Sequence, residues 1–91
     1  MRRVGRHVRI SGRVQGVFFR AWTREQADSL GLAGWVRNCT DGSVEAEIHG
    51  ESGAVDDLIA RLRKGPPAAA VTSLEVVEVE PGPGKRFEIR R

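Results

Sequence analysis

Two segments of this chain carry helical periodicity, and each lies between runs that alternate like strands; that order leaves few folds open. Val55, Leu58, Ile59 and Leu62 recur at i, i+3, i+4 and i+7, the spacing of a helix with one buried stripe. Glu51 or Ser52 can begin this helix, and Lys64-Gly65-Pro66-Pro67 ends it. The earlier helix starts near Phe19, where Trp22, Ala27 and Leu30 with Thr23 and Gln26 between them make a looser stripe closed by Gly31 as a C-cap. His7 to Ser11 alternates, with Val8 and Ile10 on one side and Arg9 and Ser11 on the other. LAGWVRN and SVEAEIHG read as two more strands around TDG. Val71 to Glu80 is β-rich, with alternation that slips at Val76-Val77 and so suggests a bulge or an edge position. PGPGK reads as a turn, and Phe87 to Arg90 as a last short strand.

Strand, helix, strand, strand, helix, strand, with two crossovers sharing a hairpin, predicts an α+β fold. It is a ferredoxin-like βαββαβ sandwich: an antiparallel sheet with both helices on one face, plus a short C-terminal strand. With 91 residues and no internal repeat or dividing linker, one domain over 1–91 is expected. The hairpin register follows from burial. A two-residue Asp41-Gly42 turn would set Val36 opposite Glu47, and the two strands would disagree about which face is buried. A three-residue loop, Thr40-Asp41-Gly42 with Gly42 left-handed, sets Asn38 opposite Val44, Val36 opposite Ala46 and Arg37 opposite Glu45. That register places Asn38 on the apolar, helix-covered face.

Charge and cysteine content narrow the setting. Fifteen Lys and Arg against twelve Asp and Glu give a formal +3, a modest bias that would attract a small anion as readily as a nucleic acid. No apolar run approaches the roughly 18 residues that span a bilayer. MRRVGRHVRISG has charges but no apolar segment after them, so no signal peptide is expected. Cys39 is the single cysteine and cannot close an internal disulfide, which suits a reducing cytoplasm. No Cys or His cluster has metal-ligand spacing, and no metal or other cofactor is expected.

The fold class hosts many activities, so the site must decide. GRVQGVFFRAW, Gly12 to Trp22, joins the first strand to the first helix. Residues there lie at a helix N-terminus, where up to four backbone N–H groups lack an intrahelical partner and the dipole favours an anion. Gly16 lets the backbone curl into an anion-binding nest. Arg20 falls in the first helical turn, a poor place for a cation unless it meets an anion, and its guanidinium forks well onto phosphate oxygens. Taken singly, the glycine pair reads as turn chemistry, Phe18 and Phe19 as core packing, and Asn38 as a turn-initiating residue. No Gly-Lys-Ser or Gly-Lys-Thr follows the loop, which argues against a nucleotide-hydrolysing P-loop.

Together, GRVQGVFFR and GLAGWVRNCTDGSVEAEIHG resemble the acylphosphatase family, and the resemblance covers essentially the whole chain. It implies hydrolysis of a carboxyl-phosphate anhydride to a carboxylate and inorganic phosphate. The family's phosphate-binding backbone amides map onto Gln15, Gly16, Val17, Phe18, Phe19 and Arg20. Its catalytic arginine maps onto Arg20 and its water-positioning asparagine onto Asn38, with no departure at either. The partner implied is a small acyl phosphate, with inorganic phosphate or another anion able to occupy the loop; no membrane is involved and a monomer is expected. Little in the sequence reads the acyl group.

Other readings are weaker. His7 and His49 are expected at the surface, and Cys39 lies outside the glycine loop on the face opposite Asn38. An RNA-binding module of this fold stacks bases on aromatics of its two central strands, but HVRIS and SVEAEIHG contain none, and the open face of the second carries Glu45 and Glu47. No nucleic acid is therefore expected. A carbamoyl-phosphate-directed domain of hydrogenase maturation proteins is the nearer alternative, but it belongs to large multidomain chains.

Overall fold

The computed structural model describes residues 2–90. In chain order the elements are β1 (Arg3–Arg13), α1 (Phe19–Ser29), β2 (Ala33–Asn38), β3 (Val44–Glu51), α2 (Ser52–Lys64), β4 (Ala70–Val79) and β5 (Phe87–Arg90). They form one sheet in the order β4-β1-β3-β2-β5. Four strands are mutually antiparallel neighbours, as expected, but β5 runs parallel to β2, so the sheet is mixed.

The parallel edge has a geometric cause. Four interstrand steps of about 4.8 Å, about 19 Å in all, separate β4 from β5. Residues 80–86 can reach at most about 24 Å when extended. PGPGK is consequently an extended strap along one end of the sheet rather than the expected turn, and β5 re-enters beside β2 from that end. The strap is held by Arg3 Nη2, which donates to Gly82 O at 2.8 Å, and by Gly82 N, which donates to His49 Nδ1 at 2.9 Å.

Both helices pack on the face carrying Val8, Ile10, Val36, Val44, Ala46 and Ile48, all fully buried. α2 buries the expected Val55, Leu58, Ile59 and Leu62, and Glu51 caps it by accepting from Ala54 N at 3.0 Å. α1 buries Phe19, Thr23 and Ala27, while Trp22 and Leu30 stand only partly buried at its margin. Its end is a Schellman motif: Leu32 N donates to Ala27 O at 2.9 Å and Gly31 N to Asp28 O at 3.1 Å, with Gly31 at φ 69°.

The β2–β3 register is the expected one: Val36 pairs with Ala46, Arg37 with Glu45 and Asn38 with Val44. Gly42 has φ 93°, and Asp41 Oδ1 accepts from Ser43 N at 2.9 Å and Ser43 Oγ at 2.6 Å, which closes the three-residue loop. These bonds, the hydroxyl's first, hold the Asp41 carboxyl below its ordinary pKa.

β1 runs one residue past Gly12, to Arg13. Its register with β4 shifts between Ser11 and Gly12: Ser11 pairs with Ser73 and Gly12 with Val71, so the extra residue is Thr72 of β4, and a Cβ on Gly12 (φ 121°) would lie 2.2 Å from Ala70 O. β4 is an edge strand, one of the two readings its slipped alternation allowed. The second face of the sheet is also less open than its charges suggest. Glu45 is buried because His7, Arg9 and Arg37 close around it, and His49 is buried at 6% exposure beneath the strap. Burying such a carboxylate is tolerable only with partners of this kind. Among the described residues no helix is long and apolar enough to cross a membrane.

Candidate active site

The β1–α1 connection places its groups by backbone conformation. Gly16 has φ 72° and Phe18 has φ 59° and ψ 25°, so left-handed residues alternate with an ordinary one at Val17. Alternation of this kind turns successive N–H groups toward one centre. Phe18 is the N-cap of α1, no side chain caps it, and no acidic residue occupies the first turn. Among the described residues, residues 15–20 donate no backbone hydrogen bond in turns, loops or caps. A helix start with free donors and no local carboxylate is a site for an anion.

Five of the expected site residues, Gly16, Phe18, Phe19, Arg20 and Asn38, line one cavity of about 300 Å³, completed by Val14, Ala21 and Ile89. Arg20 reaches it from the first turn of α1, and its Nη1 donates to Arg90 O of β5 at 3.2 Å. Asn38, half-buried, reaches it from the end of β2, on the same face as Val36. The register deduced for the hairpin is what brings Asn38 to the loop.

The other two expected residues are not in the lining. Val17 packs against the core cluster. Gln15 turns its side chain away: Nε2 donates to Cys39 O and to Ser43 O, both at 2.8 Å, tying the loop to the β2–β3 hairpin. The two phenylalanines also separate. Phe19 is core at 2% exposure, whereas Phe18 is 84% exposed, against its reading as core packing. Sequence inspection missed Val14, Ala21 and Ile89 as lining residues. Nothing in a four-residue terminal strand signals that it will lie beside α1.

Groups outside this cavity offer less chemistry. Cys39 is a free, partly buried thiol in the hairpin, and His7 and His49 are paired with Glu45 and Glu47 across the sheet's other face. Among the described residues no group of three or more His, Cys, Asp or Glu is arranged to hold a metal ion.

Residues 6–89 match the family model described as Acylphosphatase. The chain belongs to the acylphosphatase family. An acylphosphatase of Rubrobacter xylanophilus is 56% identical over 84 residues, which cover 91% of this chain and 76% of that one. Among solved structures, an acylphosphatase from Coxiella burnetii superposes with a TM-score of 0.92 at 40% identity, covering 97% of this chain and 93% of that chain. Full-length HypF, solved in a phosphate- and nucleotide-bound form, matches 99% of this chain with a TM-score of 0.87 at 28% identity, but over only 12% of its own length. The acylphosphatase fold thus occurs both in chains of this size and as a small part of a far longer one.

Proposed function

We propose that this cavity hydrolyses acyl phosphates by direct in-line attack of water on phosphorus, the phosphoryl group being held by the loop amides and by Arg20. Membership of the acylphosphatase family makes the chain an acyl phosphate hydrolase; the assignment of steps to residues is our reading. The observation that carries it is the meeting of an uncapped helix start, a guanidinium and a neutral amide in one cavity.

Phosphoryl transfer passes through a loose transition state whose charge is spread over the equatorial oxygens, so positioning and electrostatic stabilisation are the main demands. The amides of Gln15, Gly16, Val17, Phe18, Phe19 and Arg20 and the Arg20 guanidinium meet them. A carboxylate leaving group has a conjugate acid of pKa about 4 to 5, near that of Glu, and departs without a general acid. Asn38 is no base, but its amide can hold a water in line while the substrate's phosphate oxygens accept the proton. On this scheme the reaction needs neither a metal nor a covalent intermediate. Residues 1–91 act as one such domain, as a monomer in the cytoplasm, with a small-molecule partner rather than nucleic acid or membrane.

The test is release of inorganic phosphate from benzoyl phosphate by the purified chain in excess EDTA, with Arg20→Ala alongside. Rapid hydrolysis that survives EDTA and disappears in the variant supports the scheme. Near-normal turnover by Arg20→Ala removes Arg20 from it, and loss of activity in EDTA removes the metal-free chemistry.

A further inference from the structure

The polar lining of the cavity accounts for a phosphoryl group, yet the cavity is larger and less polar than a phosphate requires. A phosphoryl group fills only part of its volume of about 300 Å³. Gly16, Arg20 and Asn38 supply the groups suited to phosphate; the remaining wall includes Phe18, Ala21 and Ile89.

Phe18 is the informative residue. It is the only non-glycine at positive φ among the described residues, a conformation in which a bulky side chain is strained and glycine is not. Glycine would serve the nest equally well and without strain. The phenyl ring does not repay that strain through the core, since the residue is 84% exposed. Four large hydrophobic residues are exposed in the described chain, and Phe18 and Ile89 both line this one cavity; the other two, Val76 and Val77, lie on edge strand β4. Local conflicts of this type collect at functional sites.

Building on the hydrolase reading above, we propose that Phe18, Ala21 and Ile89 form an acyl subsite, and that the preferred substrates are acyl phosphates with a bulky apolar acyl group. The acyl carbon is bonded directly to the bridging oxygen, so the acyl group must lie against whatever borders the phosphoryl pocket. An apolar group there gains by leaving water, whereas an acetyl group is too small to cover the ring.

The experiment compares kcat/KM for benzoyl phosphate and acetyl phosphate in the unsubstituted chain, in Phe18→Asn and in Ile89→Ala. Asparagine tolerates the left-handed conformation, so Phe18→Asn removes the ring without adding backbone strain. Comparing the ratio of the two substrates across variants cancels their different intrinsic reactivities. We expect each variant to lower kcat/KM for benzoyl phosphate about fivefold to tenfold, mainly through KM, the low end of what a lost apolar contact costs in a pocket. For Ile89→Ala we expect acetyl phosphate turnover and competitive inhibition by inorganic phosphate to stay within about twofold. A parallel fall on both substrates, or no change on either, overturns the subsite while leaving the hydrolase reading in place. Failure of the folded, unsubstituted chain to hydrolyse either substrate overturns that reading and the subsite with it.

Discussion

Gln15 and Cys39, 24 residues apart in sequence, are joined by a 2.8 Å hydrogen bond from the Gln15 side-chain amide to the Cys39 carbonyl, and the same nitrogen reaches Ser43 O at 2.8 Å. One side chain thereby fixes the β1–α1 loop against the hairpin that carries Asn38. Gly42 N and Cys39 N still donate to these two carbonyls, so we expect Gln15→Ala to cost the two lost hydrogen bonds alone, about 1–3 kcal/mol, or roughly 4–8 °C in Tm per kcal/mol for a domain of this size. Turnover should fall about tenfold as Asn38 loses its fixed distance from the loop. Thermal melts and kcat on benzoyl phosphate read the two effects; a lower Tm with unchanged kcat would make the clamp purely structural.

Asn38→Ala should leave inorganic phosphate binding largely intact while lowering kcat by about 100-fold, because the water loses its orientation but the loop and Arg20 remain. Phosphate affinity by calorimetry and kcat on the same preparation check this. Equal loss of both would mean that Asn38 maintains the local structure.

Gly34 sits inside β2 at φ 134°, and a Cβ there would lie 1.8 Å from Glu47 O of the neighbouring strand. Gly34→Ala should therefore cost more than about 3 kcal/mol, among the severe backbone substitutions. Gly42→Ala, at φ 93° with nothing within 4 Å of the new Cβ, should cost only about 1–2 kcal/mol. Denaturant midpoints for the pair decide the matter, and equal losses would contradict the close approach of β2 to β3.

Acid should loosen the start of α2. Backbone N–H groups of Gly53 and then Ala54 hold the Glu51 carboxyl below its ordinary pKa of 4.5. A carboxyl lowered on folding contributes its stability above the unfolded value and loses it as pH falls through the folded one. The contribution is thus complete at neutral pH and fades below about pH 4.5. In Glu51→Gln, unfolding followed between pH 7 and pH 3 should show a shallower loss of stability than in the unsubstituted chain. Identical slopes would remove Glu51 as a source of the acid sensitivity.

Much of this was legible in the residues because it depended on local chemistry. The Val55 to Leu62 stripe, the Gly31 helix end and the Thr40-Asp41-Gly42 loop each follow from spacing and allowed dihedrals, and the loop length alone brought Asn38 onto the correct face. What escaped notice depended on distant partners or on a conformation the residue type does not favour. His49 looked like a surface residue because the strap that buries it arrives from Gly82, 33 positions later. Glu45 looked like an open-face charge because His7 and Arg9 come from another strand. Phe18 gave no sign of its positive φ, since that state is expected of glycine or asparagine. The parallel entry of β5 followed from the reach of the connecting segment across the sheet rather than from any pattern within Phe87 to Arg90.

Arg90 touches two parts of the molecule at once. Its carbonyl accepts from Arg20, and its guanidinium carbon stands 5.0 Å from the centroid of the Trp35 ring, with that of Arg37 at 5.5 Å. Indole emission is sensitive to a nearby cation, so a ligand that draws Arg20 away from β5 would change the brightness of Trp35. The expected change would be read in a fluorimeter without label or turnover, against the emission of the second indole, Trp22.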